Sequence, residues 1–312
     1  MALPLVTIAI PAYKADFIEY AIESAIRQSY ESIEIIVVDD CSPNDILSVV
    51  SKFNDSHVSY YRNSHNLGKN DPSANWNECL KHAKGEYICI LCDDDIYDKD
   101  FVSTLVELAS KHPGCNAFRS GVKEIDAQGK VINLYPLAPE HEDVTEYIWH
   151  LHSGNNRQTM SEWMLKTAKL KERGGYINQP MAWGSDCSTI FTLAEEGGVA
   201  SSPSRLMSFR NSGSNITGCN YSYIPEKMRG WFMQCDLAIS IIERSDSPYK
   251  EIIRKEVERD KRAWRKILTK HASIHDLNTM MRSPDSYGMN TWKYLNGIFR
   301  NIMWMTGLRK KK

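Results

Sequence analysis

The chain has 312 residues, 42% hydrophobic and 25% charged, with a formal net charge of −1 at pH 7. This is ordinary globular composition, long enough for one large domain and an appended region. The charge balance argues against a general nucleic-acid binder, and no run of eighteen apolar residues exists to span a bilayer as a helix.

Val6 to Ile10 reads as a short buried strand stopped by Pro11. Ile18, Ala21, Ile22, Ala25 and Ile26 recur at helical spacing, with Asp16 as the expected cap. A second apolar strand runs from Ile33 to Val38 and ends at Asp39-Asp40. Asp45 to Phe53 reads as helix, Val58 to Tyr61 as strand and Ser73 to Ala83 as helix. Gly85 to Leu91 is another apolar strand, and it runs into Asp93-Asp94-Asp95. Phe101 to Leu108 has helical spacing and is stopped by Pro113-Gly114. This alternation of helices with strands apolar on both faces predicts a parallel, doubly wound α/β sheet.

From Ala117 to Tyr135 the pattern shifts to shorter strands around a Gln128-Gly129 turn. Residues 136–160 are polar and irregular, with helical spacing at Val144 to His152. Trp163 to Tyr176 leads into a Gly174-Gly175 turn, and Ser188 to Glu196 reads as helix. From Ile224 onward the chain reads as helix throughout. Eight scattered cysteines and an N-terminus without a basic, then apolar, leader lead us to expect reduced thiols and a cytoplasmic protein. Cys89 and Cys92 are three apart on a strand and so face opposite sides, which excludes a zinc or redox pair.

Three adjacent carboxylates repel one another, and a fold that gathers them at a strand end offers hard oxygen ligands for Mg²⁺ or Mn²⁺. Such a cation neutralises a diphosphate, which points to nucleotide chemistry. Both acidic strand ends fall where doubly wound sheets bind ligands. A solvated acidic loop is the plain alternative.

The first half resembles the family 2 glycosyltransferases. The matching pieces are Pro11-Ala12-Tyr13, Gln28-Ser29-Tyr30, Asp39-Asp40-Cys41-Ser42, Asn66-Leu67-Gly68, Ala83 to Ile88, Asp93-Asp94-Asp95 with Asp100, Gly174-Gly175-Tyr176 and Gly184-Ser185-Asp186. Their order and spacing carry the resemblance, which covers roughly residues 4–218. It implies a GT-A fold over 1–218, with a donor half to about 115 and an acceptor half from 116, followed by a helical region, 219–312.

The resemblance further implies an inverting enzyme. It would move a sugar from a nucleotide-sugar donor, with a lean toward uridine, to a glycan or lipid-linked glycan acceptor. Pro11, Ala12, Tyr13 and Asp40 would then line the base. Asp93 would contact the ribose or phosphate side, and could also bind the metal. Asp94 would hold the cation, with Asp95 either behind it or as a second ligand through water. Lys69 and Arg210 would approach the diphosphate, although Ser212 stands where relatives often carry histidine and Cys92 where many carry an acid. Asp186 would be the general base, its alternative being a cap for the helix from Ser188. Tyr176, Met181, Trp183 and Trp163 are candidate acceptor contacts or, equally, core. Two other readings remain: a nucleotidyltransferase, disfavoured because Pro11 to Ala15 has no glycine, and a silent sugar-binding module, disfavoured because the acids are present.

Trp292, Leu295, Ile298, Phe299, Ile302 and Met303 form an apolar stripe near the end, with Lys293, Arg300 and Arg309 to Lys312 adding positive charge. This fits a helix lying on the inner, anionic face of a membrane, and also a helix packed on the domain with a solvated basic tail.

Overall fold

The computed structural model describes residues 3–69, 71–213 and 221–305. Ser214 and the basic run Arg309 to Lys312 lie outside the described residues. The first half alternates as expected: β1 (Val6–Ala12), α1 (Ile18–Ile26), β2 (Ile33–Asp39), α2 (Ile46–Val50), β3 (Val58–Arg62), α3 (Ser73–His82) and β4 (Tyr87–Ile90). A two-residue β5 (Ile96–Tyr97), α4 (Phe101–Lys111), β6 (Ala117–Ile125), β7 (Val131–Leu134) and β8 (His141–Glu142) follow. The chain continues through α5 (Val144–His152), β9 (Trp163–Lys166), α6 (Thr167–Glu172), α7 (Ser185–Ala194) and β10 (Val199–Arg210). Helices α8 (Ile224–Arg244), α9 (Lys250–His271), α10 (Ile274–Arg282), α11 (Pro284–Tyr287) and α12 (Thr291–Met305) complete it.

The sheet order is β3-β2-β1-β4-β9-β6-β10-β5. The β3, β2, β1 and β4 ladders are parallel, as the doubly apolar strands require. The sheet is not parallel throughout. Short β9 enters between β4 and β6 and runs antiparallel to both. β10, which sequence reading did not assign, pairs parallel with β6. Its polar Ser201-Ser202-Pro203-Ser204 stretch looks like a turn, yet it is absorbed as a register shift between Ser201 and Arg205. Proline is tolerated in a strand at such an irregularity.

Strand alternation divides the interior in two. Ile8, Ile10, Val37 and Cys89 pack on one face with α1 and α4. Ala9, Ile36, Val38, Ile88 and Ile90 pack on the other, with α3 and α7. Cys92 joins this second face, so the two cysteines do diverge. The α8 residues Cys235, Ala238 and Ile241, and Ile253 and Val257 of α9, belong to the same cluster. The carboxyl-terminal helices therefore begin as part of the sheet's cover, while the start of α8 (Ile224, Met228, Phe232) and the end of α9 (Leu268) join α10 to α12 in a separate cluster around Leu277 and Met280.

Two helix starts differ from expectation. Phe17, not Asp16, occupies the first cap, and no side chain bonds there. Helix α7 begins at Ser185 instead of Ser188, because Gly184 turns the chain in the left-handed region at φ 88°.

Gly85 shows how closely the strands approach. Its N–H donates to Thr7 Oγ1 at 2.9 Å, and a Cβ there would stand 2.5 Å from the Thr7 nitrogen. Gly85→Ala is expected to destabilise the protein by about 1–3 kcal/mol through overpacking. Equilibrium urea unfolding would read this as a lower midpoint at unchanged slope.

Candidate active site

β1, β2 and β4 are neighbours, so their carboxyl ends bring Tyr13, Asp40 and Asp93 to one edge of the sheet. Backbone amides fix the carboxylates there. Asp93 Oδ2 accepts the N–H groups of Tyr13 at 2.9 Å and Lys14 at 2.8 Å. Ser42 donates its hydroxyl to the Tyr13 carbonyl at 2.6 Å, and its N–H to Asp39 at 2.7 Å. Asp39 also accepts from Tyr60 and Arg62, which makes it the buried post behind the turn. Cys41, within that turn, sits at φ 52°, a left-handed conformation that a non-glycine residue holds only when its surroundings compel it.

Asp40 accepts from Asn63 Nδ2 and Leu67 N–H, both at 2.8 Å, and from Gly68 N–H at 2.7 Å. Three of its roughly four acceptor positions are thus occupied. Its evident work is to hold the 66–68 loop; a Cβ at Gly68 would come within 2.9 Å of Asp40 Oδ2. Lys69 follows this loop and is exposed. Pro11 is half-buried, Ala12 is buried, and Tyr13 is 42% exposed beside the acids.

The triplet's members differ in environment. Asp95 is buried, and its oxygens accept from Ser161 Oγ at 2.6 Å and Arg210 N–H at 3.0 Å. That engagement ties β10 to the triplet. The Asp94 carboxyl is pushed up to about 6, first by burial and then by the Asp93 charge, with Lys14 and Arg210 opposing. Burial also raises Asp93, against the Lys14 and Tyr13 amides. Among the described residues no three His, Cys, Asp or Glu side chains form a metal cage. A Mg²⁺-type ion commonly binds through one or two carboxylates plus substrate phosphates.

Arg210 lies beside Asp94, but its guanidinium is buried. Nε donates to the Asp94 carbonyl at 3.0 Å, and one terminal nitrogen donates to the Asp126 and Ala127 carbonyls, each at 3.1 Å. The Phe17 ring covers it at 4.5 Å.

Asp186 stands in the first turn of α7, not before the helix. Burial raises its carboxyl, with the Cys187 amide and the nearby Gln158 side chain opposing. The 3₁₀ turn Met160–Glu162 connects it to the triplet. Ser161 reaches Asp95, while Glu162 is near enough for the Asp186 charge to raise it. Glu162 is pushed up to about 7, first by burial, despite Arg119 at 3.2 Å. Sequence reading missed this turn, although Thr159-x-x-Glu162 is a capping-box pattern that the structure realises. It also missed Lys14, whose role depends on contacts across eighty residues.

The acceptor candidates separate. Tyr176 is 2% exposed and packs edge-on against Trp76, so it is core and not an open contact. Trp163 is likewise buried, under Arg119. Met181 is half-buried in a strained run, with Met181 at φ 59° and Ala182 at φ 52° just before Gly184. Trp183 is half-buried between Lys227 Nζ, 4.8 Å from its ring, and Trp264. The strain sits where the chain must deliver Asp186.

A raised carboxyl has a direct consequence for stability. Between the ordinary value of 3.8 and about 6 the folded state binds more protons at Asp94 than the unfolded state. Stability from this group therefore falls as pH rises through that window. Without divalent metal, Asp94→Asn is expected to raise the melting temperature at pH 7.5 relative to the parent and to change it less at pH 4.5. Thermal unfolding at both pH values checks this.

Residues 7–196 match the family described as "Glycosyl transferase family 2". Among curated proteins, the chain is 39% identical over 97 residues to an Escherichia coli protein, UDP-Glc:alpha-D-GlcNAc-diphosphoundecaprenol beta-1,3-glucosyltransferase WfaP, covering 30% of this chain and 37% of that protein. It is 32% identical over 143 residues to the putative teichuronic acid biosynthesis glycosyltransferase TuaG of Bacillus subtilis, covering 44% and 54%. The matches thus span about a third to a half of these relatives. Among solved structures, S. aureus TarS 1-349 in complex with UDP-GlcNAc superposes with TM-score 0.67 at 14% identity, over 97% of this chain and 92% of that one. Mannosyltransferase PcManGT from Pyrobaculum calidifontis, with GDP-Man and Mn2+, gives TM-score 0.57 at 17% identity, over 97% and 88%. These likenesses establish the GT-A fold.

Proposed function

The chain belongs to glycosyl transferase family 2, and on that premise we propose that it is a metal-dependent, inverting glycosyltransferase. Its donor is a UDP-linked sugar and its acceptor a hydroxyl of a lipid-linked glycan. The observation that carries this reading is the convergence of Tyr13, Asp40, Asp93 and Asp94 at adjacent strand ends, with Ser161 of the Met160–Glu162 turn bonded to Asp95 of the same triplet. TarS bound to UDP-GlcNAc and the WfaP name supply the donor base and the lipid-diphosphate acceptor as analogies.

In this mechanism Tyr13 and Pro11 receive the base, with Ala12 as backbone floor and Asp40 shaping the opposing loop. Asp93 orients the ribose or phosphate side. Asp94, with Asp93 beside it, holds Mg²⁺ or Mn²⁺, and the bound cation would offset charge growing on the leaving diphosphate. Lys69 and, if it swings from its carbonyls, Arg210 add charge near the diphosphate. Asp186 takes the proton of the acceptor hydroxyl as that oxygen attacks the anomeric carbon opposite the leaving group. Its raised affinity for protons suits a general base better than an ordinary exposed aspartate would. Met181 and Trp183 border the acceptor's approach.

Thermal shift with UDP-sugars checks the donor half: a saturating donor should stabilise the protein by about 2.7 kcal/mol at a hundredfold excess over Kd, and only with Mn²⁺ or Mg²⁺. Asp186→Asn should keep that shift while lowering transfer by about 10²–10⁴-fold. Normal turnover by this variant would remove Asp186 from the role.

A membrane contact through α12 belongs to the same reading. Among the described residues no helix is long and apolar enough to cross a membrane. Helix α12 has two faces: Tyr294 and Ile298 pack on the Leu277 cluster, while Trp292, Leu295, Phe299 and Ile302 are 72%, 57%, 60% and 46% exposed. Both readings of this helix then apply at once, one to each face. An exposed apolar stripe flanked by Lys293 and Arg300 suits an anionic bilayer surface. Trp292→Glu with Phe299→Glu should abolish flotation with phosphatidylglycerol vesicles while leaving the melting temperature unchanged. Undiminished flotation would oppose it.

A further inference from the structure

A cleft of about 410 Å³ opens between the sheet's 71–180 side and the carboxyl-terminal helices, within the size range of small-molecule sites. One wall carries Asp71, Asn178 and Gln179. This wall is braced to both halves of the candidate active site. Asn178 accepts from Ser73 Oγ at 3.1 Å and Asn77 Nδ2 at 3.0 Å, which ties it to α3, the helix that follows the loop Asp40 holds. Gln179 donates to Ser188 Oγ at 2.8 Å, on the helix that carries Asp186 in its first turn. The Gln179 Oε1 is buried and has no hydrogen-bond partner among the described residues.

The opposite wall comes from outside the family-matched residues 7–196. Glu226 and Arg229 are three apart on α8, so they share a face, and Tyr287 ends α11. The charges of Arg229 and Glu226 both reach the Tyr287 phenol. The combined lining is two carboxylates, one guanidinium, two amides and a phenol. It has no cationic excess for a phosphate. It offers alternating donors and acceptors beside an aromatic face, which is what a neutral polyhydroxyl ligand requires.

We infer that this cleft binds a neutral sugar unit of the acceptor glycan, and that Glu226, Arg229 and Tyr287 select it. The inference rests on the glycosyltransferase reading for the word acceptor, but the sugar site itself stands on the cleft. The shared portion of the fold carries the reacting groups, while α8 and α11 place chain-specific side chains against the segment leading to Asp186. The acceptor's identity is therefore set by helices that the family pattern does not include.

Saturation-transfer NMR on the full chain tests this, with the methyl glycosides of glucose, galactose and N-acetylglucosamine as probes and UDP with Mn²⁺ as a separate ligand. At least one glycoside should show saturation transfer with the parent protein. The signal should fall at least fivefold in Glu226→Ala and Arg229→Ala, and more modestly in Tyr287→Phe. All three positions are at least partly exposed, so folding should persist, and an unchanged melting temperature would verify it. A glycoside that binds the variants as well as the parent, or no glycoside binding at all, would overturn the inference. UDP binding reports on the donor site alone. Its loss with glycoside binding intact would sink the glycosyltransferase reading and leave the sugar site standing.

Discussion

Gathering Asp39, Asp40, Asp93, Asp94 and Asp95 at one edge of a sheet is the constraint to which the rest of the site answers. Buried carboxylates are costly unless hydrogen-bonded. The fold meets that demand mainly with backbone N–H groups: Tyr13 and Lys14 for Asp93, Leu67 and Gly68 for Asp40, Ser42 for Asp39 and Arg210 for Asp95. Each bond also fixes a loop. The acids are therefore scaffold, and what they hold in place is the set of loops at the carboxyl ends of β1, β2 and β4.

This division of labour gives the acids different fates. Asp39 and Asp95 have their oxygens turned to protein partners, while burial and the neighbouring Asp93 charge raise the proton affinity of Asp94. At the far side, burial raises Asp186 too, in a helix turn near Gln158.

The strained approach to Asp186 and the position of α8 belong to one design. Met181 and Ala182 adopt left-handed backbone, and Gly184 turns the chain tightly against Gln234 of α8, where a Cβ would come within 2.9 Å. The carboxyl-terminal helices thereby press on the segment that leads to Asp186. They also carry the exposed stripe on α12.

Local pattern was enough for much of this. The parallel half of the sheet, its helices, and the two acidic strand ends follow from runs of β-branched residues that stop at charges, because a strand apolar on both faces has to be buried on both. Those signals reside within ten residues of each other. What the sequence could not decide was orientation and partnership. Short β9 and proline-bearing β10 lack a clear period, and only pairing with β4 and β6 makes them strands. Likewise Asp93, Asp94 and Asp95 are alike as letters. Which one takes the Tyr13 and Lys14 amides and which one anchors β10 depends on Ser161, Lys14 and Arg210 arriving from distant parts of the chain, and only tertiary packing brings them there.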